Sequence, residues 1–245
     1  MNSHAYVDHL KSNLEVVNDY YLKSFQKTQQ QIFLESLLPK DIRTGLKIGD
    51  FAAGAGSLSY HLNSFFKSAE FHLFELNDAA LQLAKDNIKA TNFKFYHDDL
   101  YVHDAKWDEY FDYVFCWQTL LMLEKPELAL ENLIKSCKKG GTICLSALFN
   151  FDHDVDIYTR FIDHTRDEGK KEKTLISYNT YCKKTVHEWL DGRVKSFDVY
   201  PFKPKIDFQY DGKGIGTYTV MSTAGERFQI SGGMLMNWGI LVIKK

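Results

Sequence analysis

The chain has 245 residues, of which 44% are hydrophobic and 25% are charged, and its formal net charge at pH 7 is -2. A chain of this length is sufficient for one α/β domain with a buried core of its own. The 30 basic and 32 acidic residues nearly cancel, so the chain lacks the strong positive field with which nucleic-acid-binding proteins attract phosphates. We therefore expect a single domain over residues 1–245 and no nucleic-acid partner.

The cysteines of the chain form no C-x-x-C pair, which disfavours the usual zinc and redox motifs. We expect reduced thiols, no bound metal and a cytoplasmic location. The sequence has no stretch of about 18 apolar residues, as a membrane-spanning helix would need, and residues 1–11 are too polar for the apolar core of a signal peptide. It therefore predicts no contact with a membrane. The four cysteines are Cys116, Cys137, Cys144 and Cys182.

Apolar residues recur at helical spacing between residues 6 and 38, which predicts two helices before the first strand. Short apolar runs then alternate with amphipathic segments. The helix after the first strand carries Leu58 and Leu62, and the helix before the fifth strand is expected to end at Gly140 and Gly141, because glycine favours a left-handed C-terminal stop. The five strands are predicted at residues 46–51, 71–75, 93–96, 111–116 and 142–148.

This alternation predicts a parallel sheet with helices on both faces, since parallel neighbours need crossover connections. The charged stretch 150–173 is expected to be irregular, residues 180–190 to be helical and residues 194–202 to form a strand. Residues 216–245 leave no room for crossover helices and contain turn signals, so their strands are expected to pair antiparallel.

The stretch Asp-Phe-Ala-Ala-Gly-Ala-Gly, from Asp50 to Gly56, ends the first strand and opens the following helix. Small residues let the backbone bend sharply and approach a ligand, and the start of the helix directs free N–H groups at it. A carboxylate here would repel a pyrophosphate but would stabilise a cationic, amino-bearing ligand. The dinucleotide fingerprint G-x-G-x-x-G needs a third glycine where this chain has Ser59. The pattern therefore disfavours a nicotinamide cofactor.

This pattern resembles the first motif of the class I S-adenosylmethionine-dependent methyltransferases: an acidic residue, small residues and G-x-G, with Ala52 where the family often has a glycine. The resemblance is best from residue 47 to residue 148. It implies a Rossmann-like three-layer sandwich with a mostly parallel seven-stranded sheet and an antiparallel C-terminal strand. It divides the chain into an N-terminal helical lid over the cofactor (1–45), a cofactor-binding core (46–148) and a substrate-facing insertion with the C-terminal strands (149–245).

The same resemblance implies which residues hold S-adenosylmethionine and its product S-adenosylhomocysteine. Glu75 closes the second strand, where a carboxylate can accept both ribose hydroxyls. Asp98 and Asp99 follow the third strand, where the family contacts the adenine amino group, and Leu100 would line the ring. The implied cofactor-binding residues are Asp50, Ala52, Gly54, Gly56, Glu75, Leu76, Asp98, Asp99, Leu100, Trp117, Gln118 and, in the lid, Tyr21.

The implied activity is methyl transfer to an oxygen or nitrogen atom of a small polar metabolite, such as a sugar or a phosphorylated compound, by a monomer or homodimer. In-line displacement at the methyl carbon needs alignment more than proton transfer. If the acceptor is a hydroxyl, His153 or His187 could serve as the general base. Two alternatives remain open from the sequence: a nicotinamide-dependent oxidoreductase, and a catalytically silent module that binds the cofactor.

Overall fold

The computed structural model describes residue 22 and residues 25–39, 44–164, 175–210 and 215–245. Its α-helices are α1 (Gln29–Leu37), α2 (Ser57–Phe65), α3 (Asp78–Asn87), α4 (Pro126–Ser136) and α5 (Lys183–Leu190), with 3-10 turns at Ala105–Trp107 and Leu120–Met122. Its strands are β1 (Lys47–Phe51), β2 (Glu70–Glu75), β3 (Phe93–His97), β4 (Phe111–Cys116), β5 (Cys137–Asn150), β6 (Ile157–Phe161), β7 (Ile176–Cys182), β8 (Ser196–Pro201), β9 (Thr217–Met221), β10 (Arg227–Ser231), β11 (Met234–Leu235) and β12 (Trp238–Lys244).

The central sheet has the order β3-β2-β1-β4-β5-β12-β8. Strands β1 to β5 pair parallel with one another, whereas β12 pairs antiparallel with both β5 and β8. The predicted mostly parallel sheet of seven strands with an antiparallel C-terminal strand is therefore confirmed. Two further strands, β7 and β6, extend the sheet from the end of β5. The sequence predicts neither, because the helix expected at residues 180–190 overlaps the end of β7 and the irregular stretch expected at 150–173 contains β6.

Helices cover both faces of this sheet, as the strand–helix alternation predicts. On one face, α1 and α2 bury Leu34 and Leu62 in a cluster that includes Phe115 of β4. On the other face, α4 and α5 bury Leu133 and Val186 in a second cluster. The Rossmann-like three-layer arrangement is confirmed. Strands β9, β10 and β11 form a small antiparallel sheet of their own.

The two glycines expected to end the fourth helix have a different role. Helix α4 ends at Ser136, and β5 already begins at Cys137. A Cβ atom on Gly141 would lie 2.6 Å from the Cys137 sulfur and 2.9 Å from the Asp112 carbonyl oxygen. Gly141 therefore permits the close approach of β5 to β4, where the register between the two strands shifts.

The described part of the chain bears on two expectations, one about membrane-spanning helices and one about metal sites. No helix there is long and apolar enough to cross a membrane. Within the same ranges, no group of three or more His, Cys, Asp or Glu side chains is arranged to hold a metal ion. The four cysteines are buried and free.

Candidate functional site

The site lies where β1, β2 and β4 end, because the carboxyl ends of parallel strands meet at one edge of a sheet. Asp50 pairs with Phe115 of β4 and with Leu73 of β2. Glu75 follows Leu73 by two residues, so its side chain lies on the same face of the sheet as that of Asp50. The topology thus brings two of the predicted acids together.

The loop between β1 and α2 has an unusual backbone. Ala52, Gly54 and Gly56 all have positive φ angles, of 55°, 56° and 77°. A Cβ atom on Gly56 would lie 2.7 Å from methyl carbons of Leu73 and Ile88, so this glycine is required by packing as well as by conformation. Ala52 adopts the left-handed region at a steric cost. The loop is therefore bent tightly against β2.

Asp50 is almost fully buried, with 1% of its surface exposed. Ser59 of α2 donates a hydrogen bond from its hydroxyl to Oδ2 at 2.6 Å, whereas Oδ1 has no hydrogen-bond partner among the described residues. Burial raises the pKa of Asp50 to about 7; the Ser59 hydrogen bond opposes this rise, and the nearby charge of Glu75 adds to it. An unpartnered, buried carboxylate oxygen is costly in a protein alone and fits a cationic ligand group.

Glu75 fastens the glycine loop to the end of β2. The Gly54 N–H donates to Oε2 at 2.7 Å and the Asn77 N–H donates to Oε1 at 2.8 Å. Burial raises the pKa of Glu75, and these backbone donors act in the opposite direction. The Leu76 N–H is a further backbone donor to this carboxylate. A carboxylate has about four acceptor sites, so Glu75 can still accept a hydrogen bond from a ligand.

Asn77 is a site residue that the sequence reasoning missed. Its Oδ1 caps α3 by accepting a hydrogen bond from the Ala79 N–H at 3.0 Å. Its Nδ2 is buried and has no partner in the part of the chain that the structure describes. The sequence signal was a helix-capping asparagine directly after a strand-ending acid, which by itself indicates only a cap.

The residues after β3 lie next to Glu75. The Asp98 N–H donates to the Glu75 carbonyl at 3.2 Å, and burial raises the pKa of the half-buried Asp98. Asp99 accepts a hydrogen bond from the Tyr101 N–H at 2.9 Å. Asp98, Asp99 and Leu100 line one small cleft. Leu76, which directly follows β2, is half-buried. Its carbonyl oxygen lies 3.0 Å from Nε2 of the exposed His97 ring, at hydrogen-bonding distance.

The loop after β4 connects the site to the N-terminal helix. Trp117 is half-buried against the cluster that also contains Phe115 and Leu34. Gln118 has a positive φ of 54°, and its Nε2 donates to Oε1 of Gln30 on α1 at 2.7 Å. The sequence reasoning selected Trp117 and Gln118 but missed Gln30, since no local pattern links residues this far apart.

The two histidines proposed as bases are not close to this constellation. His187 is exposed on α5, on the opposite face from Asp50, and its ring packs against Phe197 of β8. Since β12, β5 and β4 separate β8 from β1, the two strands are roughly 19 Å apart at about 4.8 Å per step. We therefore remove His187 from the candidate site.

His153 is exposed in the chain that follows β5. Cys144 of β5 is level with Asp50 through Phe115, and β5 continues to Asn150, roughly 20 Å further at about 3.3 Å per residue. His153 thus follows β5 at the edge of the sheet where Asp50 lies, but the end of β5 is far beyond the level of Asp50. Tyr21, the predicted lid residue, lies outside the described residues, as does most of the first predicted helix.

The sequence profile of the methyltransferase domain family matches residues 42–201, which is more than half of the chain. The chain belongs to this family. The methyltransferase is accordingly an enzyme that takes its methyl group from S-adenosylmethionine, and the two alternatives, the oxidoreductase and the silent module, are set aside. No curated protein matches its sequence significantly.

Solved structures with low sequence identity share the fold of this methyltransferase. A S-adenosylmethionine-dependent methyltransferase from Mesorhizobium loti has 13% identity and a TM-score of 0.60, over 90% of this chain and 100% of that one. Phosphoethanolamine N-methyltransferase 2 from Haemonchus contortus, in complex with phosphomonomethylethanolamine and S-adenosylhomocysteine, has 12% identity and a TM-score of 0.64, over 98% and 60%. The Burkholderia thailandensis 1,6-didemethyltoxoflavin-N1-methyltransferase, with that substrate and S-adenosylhomocysteine bound, has 11% identity and a TM-score of 0.59, over 100% and 91%.

The residues of the methyltransferase fit this cofactor on their own chemistry. Asp50 presents a buried oxygen without a partner, which suits a cationic amino group. Gly56 precedes α2 without a side-chain cap, so N–H groups at the helix start remain available to a ligand. Glu75 retains acceptor capacity beside them. The site thus offers a negative charge for the amino group of the cofactor, together with hydrogen-bond donors and acceptors for its polar atoms.

Proposed function

We propose that this methyltransferase transfers a methyl group to an oxygen or nitrogen atom of a small polar metabolite, using the strand-end site as its cofactor site. The observation that carries the proposal is the unpartnered oxygen of buried Asp50 beside the glycine loop. The proposed cofactor-binding residues are Asp50, Ala52, Gly54, Gly56, Glu75, Leu76, Asp98, Asp99, Leu100, Trp117 and Gln118, with Tyr21 added from the sequence. The division into lid, core and substrate-facing segment is part of the same proposal.

The residues have separate roles in this proposal. Asp50 holds the cationic amino group, Glu75 accepts the ribose hydroxyls, and Asp98 or Asp99 accepts the adenine amino group. The glycine loop brings backbone N–H groups within reach of the ligand. S-adenosylmethionine supplies an electrophilic methyl carbon on a sulfonium. The protein contributes alignment of the acceptor and exclusion of water from the site.

Helix α1 supports water exclusion, because its contact through Gln30 places it over the loop that follows β4. If the acceptor is a hydroxyl, His153 is the better placed of the two proposed histidines, since it follows a strand at the correct edge. An amine acceptor needs no base when it arrives neutral.

Two side chains of the predicted substrate-facing segment that could bind a phosphorylated acceptor, Arg160 and Tyr181, already have protein partners. Arg160 donates to Glu124 at 3.1 Å, and the hydroxyl of buried Tyr181 donates to the Leu120 carbonyl at 3.2 Å. A phosphate would have to displace these partners. An uncharged acceptor such as a sugar is therefore favoured over a phosphorylated one, although the Haemonchus contortus structure contains phosphomonomethylethanolamine.

Titration calorimetry with S-adenosylhomocysteine tests the cofactor site. We expect binding by the wild type and weaker binding by Glu75→Gln. Glu188→Gln, which changes an exposed acid on α5, is the matched control and should bind normally. The acceptor is then sought by measuring S-adenosylhomocysteine release with uncharged sugars and with phosphorylated amines. Equal affinity of Glu75→Gln and wild type would contradict the proposed cofactor site.

A further inference from the structure

Several buried polar atoms lack hydrogen-bond partners among the described residues, and two of them belong to residues on the same face of the sheet as Asp50. One is Nε2 of Gln30 on α1, a residue with 5% of its surface exposed, and the other is Oγ of the fully buried Ser146 on β5. Buried polar atoms are nearly always paired in proteins, so each such exception needs an explanation. A ligand that supplies the missing hydrogen bonds is one explanation.

The strand register places Ser146 on the site's face of the sheet. Asp50, Phe115 and Cys144 are aligned across β1, β4 and β5, and Ser146 follows Cys144 by two residues, so its side chain points to the same face. Its partner across β12 is Ile240, which belongs to the cluster on that face. Ser146 therefore lies near the strand ends, two strands away from Asp50.

Helix α1 packs on this same face of the sheet. Leu34, one turn after Gln30, packs in the cluster that contains Cys144 and Ile240. A capping box between Thr28 and Gln31 fixes the start of the helix, with hydrogen bonds of 2.8 and 3.2 Å. The backbone at Gln30 is thus held by the helix cap, and its side-chain amide is held by the hydrogen bond from Gln118.

The hydrogen bond between Gln118 and Gln30 uses the amide oxygen of Gln30 and leaves its NH2 group for another partner. Gln118 donates to Oε1 of Gln30, and Nε2 of Gln30 remains a donor. The backbone of Gln118 has a positive φ of 54°, a conformation that non-glycine residues hold at an energetic cost and that is concentrated at functional sites. The pair therefore presents a fixed hydrogen-bond donor at the end of β4, beside half-buried Trp117.

We propose that Gln30 and Ser146 form a subsite for the methyl acceptor, specific for an uncharged molecule with a hydrogen-bond-accepting oxygen. The inference rests on the proposed function and names the chemistry of its acceptor. Gln30 donates through Nε2, and the Ser146 hydroxyl donates or accepts. The two groups of this subsite are an uncharged amide and an uncharged hydroxyl, so they offer an anionic acceptor no charge pairing. Trp117 offers an aromatic surface for a flat molecule.

Nuclear magnetic resonance of the protein saturated with S-adenosylhomocysteine tests the subsite without a known acceptor. The probes are benzamide, which is neutral, and benzoate, which replaces the amide by a carboxylate of similar shape. We expect benzamide to shift the side-chain NH2 resonance of Gln30, identified by its loss in Gln30→Leu, and benzoate to leave it in place. A shift by benzoate alone, or by neither probe, would overturn the proposal.

Variants separate the subsite from a structural role. Gln30→Leu and Ser146→Ala should each weaken benzamide binding by at least about fivefold, the effect of losing one hydrogen bond. Gln82→Leu, the same substitution on the exposed face of α3, is the control and should bind benzamide normally. Benzamide binding that is equal in Gln30→Leu and wild type would contradict the assignment.

Calorimetry distinguishes this inference from the cofactor site. Ser146→Ala should bind S-adenosylhomocysteine within about twofold of wild type, because the Ser146 hydroxyl has no hydrogen-bond partner among the described residues, those of the cofactor site included. Loss of S-adenosylhomocysteine binding in this variant would assign Ser146 to the cofactor and overturn the subsite. A wild type that fails to bind S-adenosylhomocysteine would instead contradict the proposed function and the subsite that rests on it.

Discussion

Ser59 donates its hydroxyl to the carboxylate of Asp50 across 2.6 Å, and both side chains are buried. The hydrogen bond joins the strand that ends before the glycine loop to the helix that begins after it. A third glycine at the position of Ser59 would remove this bond. The residue that distinguishes this loop from the dinucleotide fingerprint thus supports the acid.

Replacement of either site acid should weaken cofactor binding. Asp50→Ala and Glu75→Ala should each lower the affinity for S-adenosylhomocysteine by about 1 to 3 kcal/mol, because each removes a buried polar contact. Titration calorimetry measures this, with Glu188→Ala as the control at an exposed acid. Unchanged affinity in both site variants would count against the proposed site.

The affinity for S-adenosylhomocysteine should depend on pH through Asp50. Burial raises the pKa of this acid to about 7 in the free protein, so at pH 6 it is largely protonated and attracts a cationic amino group weakly. Affinity should therefore rise between pH 6 and pH 8. Calorimetry across this range checks the trend, which should be absent in Asp50→Asn. A trend of equal size in that variant would assign the titration to another group.

Asp50 should also make the free protein less stable as pH rises. Its pKa is about 7 in the folded state, against an ordinary value of 3.8 for an exposed aspartate. Its favourable contribution to stability is therefore complete below pH 3.8 and is lost as pH rises through 7. The full loss corresponds to about 4 kcal/mol. Asp50→Asn should therefore gain in Tm relative to wild type between pH 5 and pH 8. A difference in Tm that does not change with pH would refute this expectation.

Gly56 should not tolerate a methyl group. Gly56→Ala places a Cβ atom 2.7 Å from side-chain carbons of Leu73 and Ile88 at a φ of 77°, and we expect a loss of about 2 kcal/mol or more in unfolding free energy. Gly140→Ala is a matched control, since its φ is 76° and nothing lies within 4 Å of the added atom. Chemical denaturation of both variants separates the packing clash from backbone strain; equal losses would leave strain as the sole cause.

The opposite substitution at Ala52 should stabilise the protein. Ala52 has a positive φ of 55°, which costs an L-residue roughly 1 to 2 kcal/mol, while glycine loses more conformational entropy on folding. Ala52→Gly should therefore raise the unfolding free energy by about 0.5 to 1 kcal/mol. Chemical denaturation at pH 8 measures this difference, and a lower stability would show that the Ala52 methyl group contributes packing.

The local sequence was sufficient to predict the core of the fold and the sheet edge that carries Asp50 and Glu75. Strands β1 to β5 follow from apolar runs that alternate with amphipathic helices, and this rhythm permits few arrangements other than a parallel sheet. Asp50 and Glu75 follow from the same local reading, because a residue at the end of a parallel strand must lie at one known edge. The misplaced boundaries at Gly140 and at β7 arose where glycine and β-branched residues suit more than one local structure.

The amino-acid sequence by itself therefore determined the fold class and the sheet edge at which Asp50 and Glu75 lie. The tertiary structure decided which atom of Asp50 remains without a partner, and it alone brought Gln30 into contact with Gln118. It also places His187 on α5, against Phe197 and away from the strand-end acids. The sequence alone does not distinguish such a surface histidine from a histidine that acts as a base. The physical reason is that hydrogen-bond pairing and side-chain proximity depend on contacts between distant segments, whereas strand ends and tight turns depend on neighbours in the chain.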